Sequence, residues 1–167
     1  LRGVVHTVNL EAGRSPDDER FARERDQPNF RSAATGGGGT ISFFNGLGNL
    51  TEDRFDHEFG HNLGFAARNL QDAESAELGR LNEERQRDAL TGDNFSPNIP
   101  RGYSQAAEAD ARMVSRYGEE TISEDFAEFY EAYLDAEQAG PRALARFEQR
   151  YPNRFAILNE LVLARFA

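Results

Sequence analysis

Five consecutive residues concentrate the chemistry of this 167-residue chain: His57-Glu58-Phe59-Gly60-His61. Two imidazoles four positions apart fall on one face of an α-helix, because residues i and i+4 are surface neighbours. Placed there, both can bind a single Zn²⁺, each at about 2.0–2.1 Å. Glu58 lies on the adjacent edge of the same helix, where its carboxylate reaches a water beside the metal rather than the metal itself. Zinc brings the pKa of such a water toward about 7, and a carboxylate can take its proton as the water attacks a carbonyl. With three His and 18 Glu in the chain, shuffling produces this pattern in roughly one sequence in 250. The motif therefore outweighs the bland alternative of two solvent-facing histidines on an amphipathic helix.

A catalytic zinc needs a third protein ligand and an open fourth position. A third His six residues beyond His61 would mark one class of such sites, but position 67 is Ala67. His6 falls in an expected strand and is better read as an ordinary strand histidine. The remaining ligand is then a carboxylate from a later helix, with Glu124, Asp125, Glu128 and Glu131 as the candidates. Glu124 shares a helical face with Glu128 and with Glu131, and Phe126, Phe129, Tyr130, Tyr133 and Leu134 supply an apolar surface around them.

The elements that must position these groups follow from the pattern. GVVHTVNL (3–10) alternates weakly and suits a first strand. Ser15-Pro16 starts a helix that runs to about Arg25. Pro28 and the Gly36–Gly39 run indicate a flexible surface loop, and without a following Lys the glycines make no phosphate cradle. Thr40–Phe44 is β-prone and bounded by Gly39 and Asn45-Gly46, hence a strand. Thr51 caps the motif helix, with Glu52 and Asp53 in its first turn, and the helix extends to about Leu70. A polar helix over 74–90, a loop over 91–102 and a helix from about Ser104 to Tyr117 come next, with Gly118 as its stop. Thr121 or Ser123 caps a helix ending at Gly140-Pro141, and two short helices, 141–150 and 153–165, close the chain. Gly60 and Gly64, one turn apart, permit close approach of another backbone.

Length and composition set the frame. The chain has the size of one domain, 1–167, and 38% hydrophobic residues with 13 Phe are enough for a sizeable core. It begins without Met and is read as a segment of a longer chain or a processed product. A net charge of −10 argues against nucleic acid as a partner, and no apolar run reaches the roughly 18 residues of a membrane span. Cys is absent, so thiolate ligands and disulfides are excluded. All 19 basic residues are Arg. A GC-rich coding bias accounts for that, and so does delivery into a foreign cytosol, where a protein without Lys escapes ubiquitin tagging.

HEFGH (57–61) is followed by Tyr117-Gly118 seven residues before Glu124, by Phe126-Ala127-Glu128, and by Pro152, Phe155 and Asn159 in a Pro-x-x-Phe-x-x-x-Asn pattern. This ordered set of motifs resembles the catalytic domain of anthrax lethal factor and its relatives, including the Pro-Pro endopeptidases. The resemblance spans about residues 40–163 and leaves the first 35 unmatched. It implies a zincin-like α+β fold, with a small twisted sheet, an active-site helix and a mainly helical C-terminal half. It implies Glu124 as the third zinc ligand, with Tyr117 as hydroxyl donor to the tetrahedral intermediate's oxyanion and Glu128 as acceptor of the free N–H of a zinc-bound His. In zinc peptidases of this type the substrate adds as an antiparallel strand along a sheet edge, which assigns peptide binding to Thr40, Ile41, Ser42 and Phe43. The expected function is a zinc endopeptidase acting on a peptide or protein, a toxin or effector domain that is secreted or delivered into a target cell. The alternative is a catalytically inactive, zinc-bearing binding module.

Overall fold

The alternation near the N-terminus condenses to a four-residue strand, β1 (Thr7–Leu10), in the computed structural model, which describes residues 3–24, 28–29, 31–77 and 99–164. A short helix, α1 (Asp18–Glu24), follows, with Ser15 Oγ accepting from Asp17 N at 3.3 Å just ahead of it. The glycine run is not a surface loop. Ala34–Gly37 forms a strand, β2, which turns through Gly38 and Gly39 at φ 58° and 82° and returns antiparallel as β3 (Thr40–Phe43). Glycine adopts such left-handed conformations without the Cβ penalty, so the run is a hairpin turn. β1 pairs parallel with the other side of β3, giving a three-stranded mixed sheet in the order β1-β3-β2.

Helices dominate the rest. α2 (Glu52–Glu77) carries the HExxH motif, and Thr51 Oγ1 accepts from Arg54 N at its start. The helix expected over 74–90 is described only to Glu77, as a continuation of α2; its remainder and residues 91–98 of the loop expected over 91–102 lie outside the described residues. α3 (Tyr103–Asp110) is shorter than the expected helix to Tyr117, because Ala111 turns left-handed at φ 52°. The Asp110 carboxylate is drawn to the backbone N–H groups of Asn153 and Arg154, at 3.0 and 3.2 Å, which fixes the chain's exit there. α4 (Ile122–Gln138) is capped by Thr121, whose hydroxyl accepts from Glu124 N at 3.1 Å. α5 (Pro141–Arg150) and α6 (Pro152–Ala156) each place Pro in the first turn, and α6 runs on as a π-helix over Ile157–Leu163.

The core lies among α2, α3, α4, α5 and the C-terminal turns, where Leu63, Tyr103, Phe126, Phe129, Leu158 and Val162 are fully buried. Phe129, Phe147 and Tyr151 contact one another with ring centroids 5.0–5.8 Å apart. Each such buried side chain stabilises by about 1.5–3 kcal/mol. Ile41 and Phe43 of β3 are also fully buried. The result is an α+β architecture with a small mixed sheet and a mostly helical remainder. Among the described residues, no helix is long and apolar enough to cross a membrane.

Candidate metal centre

Two close approaches set the spacing of the site. A Cβ at Gly60 would stand 2.9 Å from Ala127 Cα, so α2 and α4 touch backbone to backbone at this point. A Cβ at Gly36 would stand 2.4 Å from Glu58 O and 2.9 Å from Glu58 Oε2, so β2 lies directly against the motif helix. Asn62, buried, fastens the hairpin to that helix. Its Oδ1 accepts from Gly39 N at 2.7 Å, and its Nδ2 donates to Thr40 O and Glu58 O at 3.1 and 3.0 Å. Its loss would strand buried backbone groups, which costs about 1–3 kcal/mol.

With α2 and α4 this close, His57 Nε2 and His61 Nε2 come to 3.2 and 3.1 Å from the same atom, Glu124 Oε2. The imidazole centroids lie 4.9 Å apart with their planes at 85°. Each ring's other nitrogen is held from behind. His57 Nδ1 is 3.0 Å from Glu128 Oε1 and 3.7 Å from Glu131 Oε2, while His61 Nδ1 is 3.2 Å from Ser123 Oγ. These contacts turn both Nε2 atoms toward Glu124.

The three residues form a group that could hold a metal ion, their donor atoms lying within 4.8 Å of one another. Two ligand atoms on a tetrahedral zinc with bonds of about 2.0–2.2 Å stand roughly 3.3 Å apart. The His–Glu separations match that edge, and two imidazoles with one carboxylate suit a borderline-soft divalent ion.

Electrostatics reinforce the arrangement. Burial opposes charge on His57, but hydrogen bonds to Glu124, Glu128 and Glu131 and the nearby charge of Glu58 outweigh it and push its pKa up to about 12. Burial works against the Glu124 carboxylate too, and the two histidines overcome it, holding Glu124 well below the usual carboxylate range. Glu58 moves the other way. Its burial raises its pKa, opposed by the two histidines and by the hydrogen bond from Gly36 N–H to its carboxylate. Glu128 is lowered, chiefly by its hydrogen bond with His57 and further by one with Ser115.

Of the four acids open to ligand duty in the sequence, Glu124 alone reaches both histidines, and Glu128 stands behind His57. Asp125, one helical step of about 100° further round α4, turns into the interior, where Arg154 Nη1 donates to both of its oxygens. Tyr117 sits in an irregular segment rather than on a helix. Its hydroxyl donates to Glu124 Oε1 at 3.2 Å, and its ring centroid is 5.7 Å from that of His57.

The assignment of Thr40, Ile41, Ser42 and Phe43 to peptide binding is not supported. β3 is the central strand, with β1 on one side and β2 on the other, so its backbone edges are occupied. The edge that faces the metal group is β2. Ala34, Thr35 and Gly36 line a cleft of about 490 Å³ together with His57, Glu58 and Tyr117. Ala33 O accepts from Phe44 N, and backbone groups alternate sides along an antiparallel strand, so Ala34 and Gly36 face the cleft.

Gly36, Asn62 and Ser123 do work that the sequence did not assign to them. Asn62 carried a faint signal, a polar residue four positions after Glu58 on the helix face that must be buried. Gly36 and Ser123 carried none, since their partners are distant in sequence. In comparisons with known proteins, no family model, curated protein or solved structure matches the chain.

Proposed function

We propose that this chain is a zinc-dependent endopeptidase with a zincin-like fold. The convergence of His57 Nε2, His61 Nε2 and Glu124 Oε2, with the buried Glu58 carboxylate beside them, carries the reading. His57, His61 and Glu124 would hold the Zn²⁺, which lowers the pKa of water toward about 7 and polarises a carbonyl. The resemblance to the lethal factor catalytic domain supports the same assignment.

The chain's own groups account for the rest of the chemistry. Glu58, raised by burial, is a base whose pKa moves toward the operating range, as general base catalysis requires, and Gly36 N–H orients its carboxylate. A substrate strand pairs with β2 through Ala34 and the Gly36 carbonyl, the Gly36 N–H being held by Glu58, and so crosses the cleft above Glu58. Tyr117 is the hydroxyl donor toward the oxygen of the scissile carbonyl, a contribution of about 2.7–4 kcal/mol for donors of this kind. Glu128 and Ser123 fix the imidazole orientations, an effect commonly worth 10–100-fold in such centres. Secretion or delivery into a target cell, as a toxin or effector domain, is the setting supported by the resemblance and by the all-arginine basic set.

Terminal-label proteomics of a cell extract treated with the parent or Glu58→Ala tests this. The parent is expected to create new N-termini that the variant does not, with one equivalent of zinc bound to both. Equal cleavage by the variant would overturn the mechanism. Zinc binding with no cleavage by either protein would favour the metal-bearing binding module.

A further inference from the structure

Tyr117 reaches the cleft from residues 111–121, an irregular segment between α3 and α4 in which Gly118 alone is buried. Val114 is its one apolar contact with the core, so polar anchors must fix the rest of its course. Within the segment Ser115 hydrogen-bonds to Glu128 and the Tyr117 hydroxyl to Glu124; the anchors of its two ends converge on one side chain. Arg154, fully buried, donates from Nη2 to the carbonyl of Arg112 at the start of the segment. Its Nε donates to Asp110 Oδ2 at 3.1 Å, just before the segment begins. Its Nη1 donates to both Asp125 oxygens, at 3.0 and 2.8 Å, and Asp125 also accepts from the Tyr103 hydroxyl at 2.9 Å. The far end of the segment rests on that same Asp125: a Cβ at Gly118 would lie 3.2 Å from Asp125 Cα and Oδ1. The guanidinium is itself seated over the Tyr151 ring at 4.6 Å.

A planar fork with five donors can grip all three partners at once, which an ammonium cannot. We infer that Arg154 is a positioning residue that sets Tyr117 in the cleft, gripping the segment's entrance directly and its exit through Asp125. The metal group depends on a different contact, the approach of α2 to α4 at Gly60 and Ala127. Loss of Arg154 should therefore displace Tyr117 while leaving His57, His61 and Glu124 able to bind metal. The catalytic consequence rests on the proposed role of Tyr117, whereas the positioning itself does not.

The test uses the full chain with 3-fluorotyrosine at position 117, read by ¹⁹F NMR with and without Zn²⁺. The parent is expected to give a resonance displaced from free 3-fluorotyrosine that moves as zinc is added. In Arg154→Gln the resonance should collapse toward the free value, with zinc affinity within about threefold of the parent. An unmoved resonance in folded Arg154→Gln overturns the inference, as does a parallel loss of zinc affinity. If Arg154→Gln does not fold, Gly118→Ala presses the turn off Asp125 without touching the guanidinium, and must give the same collapse. With casein as substrate, Arg154→Gln and Tyr117→Phe should each lower kcat at unchanged KM, and the double variant should be no worse than the worse single. Additive penalties would overturn the inference. The NMR result stands even if no peptidase activity exists, which keeps the two failures distinct.

Discussion

Glu124 and Asp125 are neighbours in sequence, and α4 sends them into opposite surroundings. Glu124 enters a half-open cleft, where it and Glu128 crowd His57. Asp125 enters the interior, where it and Asp110 close on Arg154, all buried. Both clusters bring carboxylates around a cationic side chain, and the identity of that cation separates their uses. A guanidinium is charged at every accessible pH, so the inner cluster is a permanent fastening. An imidazole can lose its proton and become a metal ligand, so the outer cluster can exchange a proton for an ion. A single helical step of about 100° decides which acid is sealed in the interior and which faces the cleft.

Removing each acid in turn is the strongest way to break this comparison. Glu124→Ala should lower zinc affinity by more than the 10–100-fold typical of losing an outer partner, and its cost in stability is confined to the lost pairing with the two histidines. Asp125→Ala should leave zinc affinity nearly unchanged and cost about 3 kcal/mol of stability, the low end for breaking a buried pair, because Asp110 still faces the Arg154 charge. Zinc titration and urea unfolding of the two variants read both quantities. Equal effects on affinity and stability in both would mean that the clusters are not functionally separate.

The contrast also shows what the sequence could carry. The HExxH pair was legible because both imidazoles belong to one helical turn, and the apolar face of α4 was legible from its aromatic periodicity. The choice among Glu124, Asp125, Glu128 and Glu131 was not, since periodicity gives faces but not which face meets α2. The resemblance, not the spacing, singled out Glu124. β2 was missed because Ala-Thr-Gly-Gly offers no alternation, its strand identity coming from pairing with β3 and from the space beside Glu58. That omission put the expected peptide contact on β3, whose two edges are occupied by β1 and β2. The early end of α3 was hidden for a similar reason: Ala111, Met113 and Val114 are compatible with helix, and the partners of Asp110 lie more than 40 residues away.

A smaller effect is expected at the contact that brings the two sides together. Gly60→Ala inserts a methyl 2.9 Å from Ala127 Cα. Overpacking of this kind costs about 1–3 kcal/mol, and the wedge moves Glu124 away from both histidines. Zinc affinity should fall by roughly 10–100-fold, comparable with losing an outer partner. Gly48→Ala, with nothing within 4 Å of the new Cβ, is the matched control. Unchanged zinc affinity in folded Gly60→Ala would show that α4 can reach the histidines without this close approach.

The finest discrimination comes from pH. Although burial opposes it, the carboxylates around His57 raise its pKa from 6.5 to about 12. Its contribution to the stability of the metal-free protein is therefore complete below about pH 6.5 and declines as pH rises toward 12. Glu124 is depressed from its ordinary 4.5, so its contribution is complete above that value and is lost as pH falls. These two groups thus favour the metal-free fold most between about pH 4.5 and 6.5. Zinc requires the neutral imidazole and must expel the His57 proton, so its stabilising effect should grow as pH rises. Between pH 6 and 8 the metal-free Tm should drift down by a few degrees, while the increment on adding zinc increases. Calorimetry in buffers of different ionisation enthalpy should register about one proton released per zinc at pH 7. The Arg154 cluster should contribute no such slope, because its cation does not titrate in this range. Zinc binding without proton release would mean that His57 is already neutral and that the two clusters differ in exposure rather than in kind.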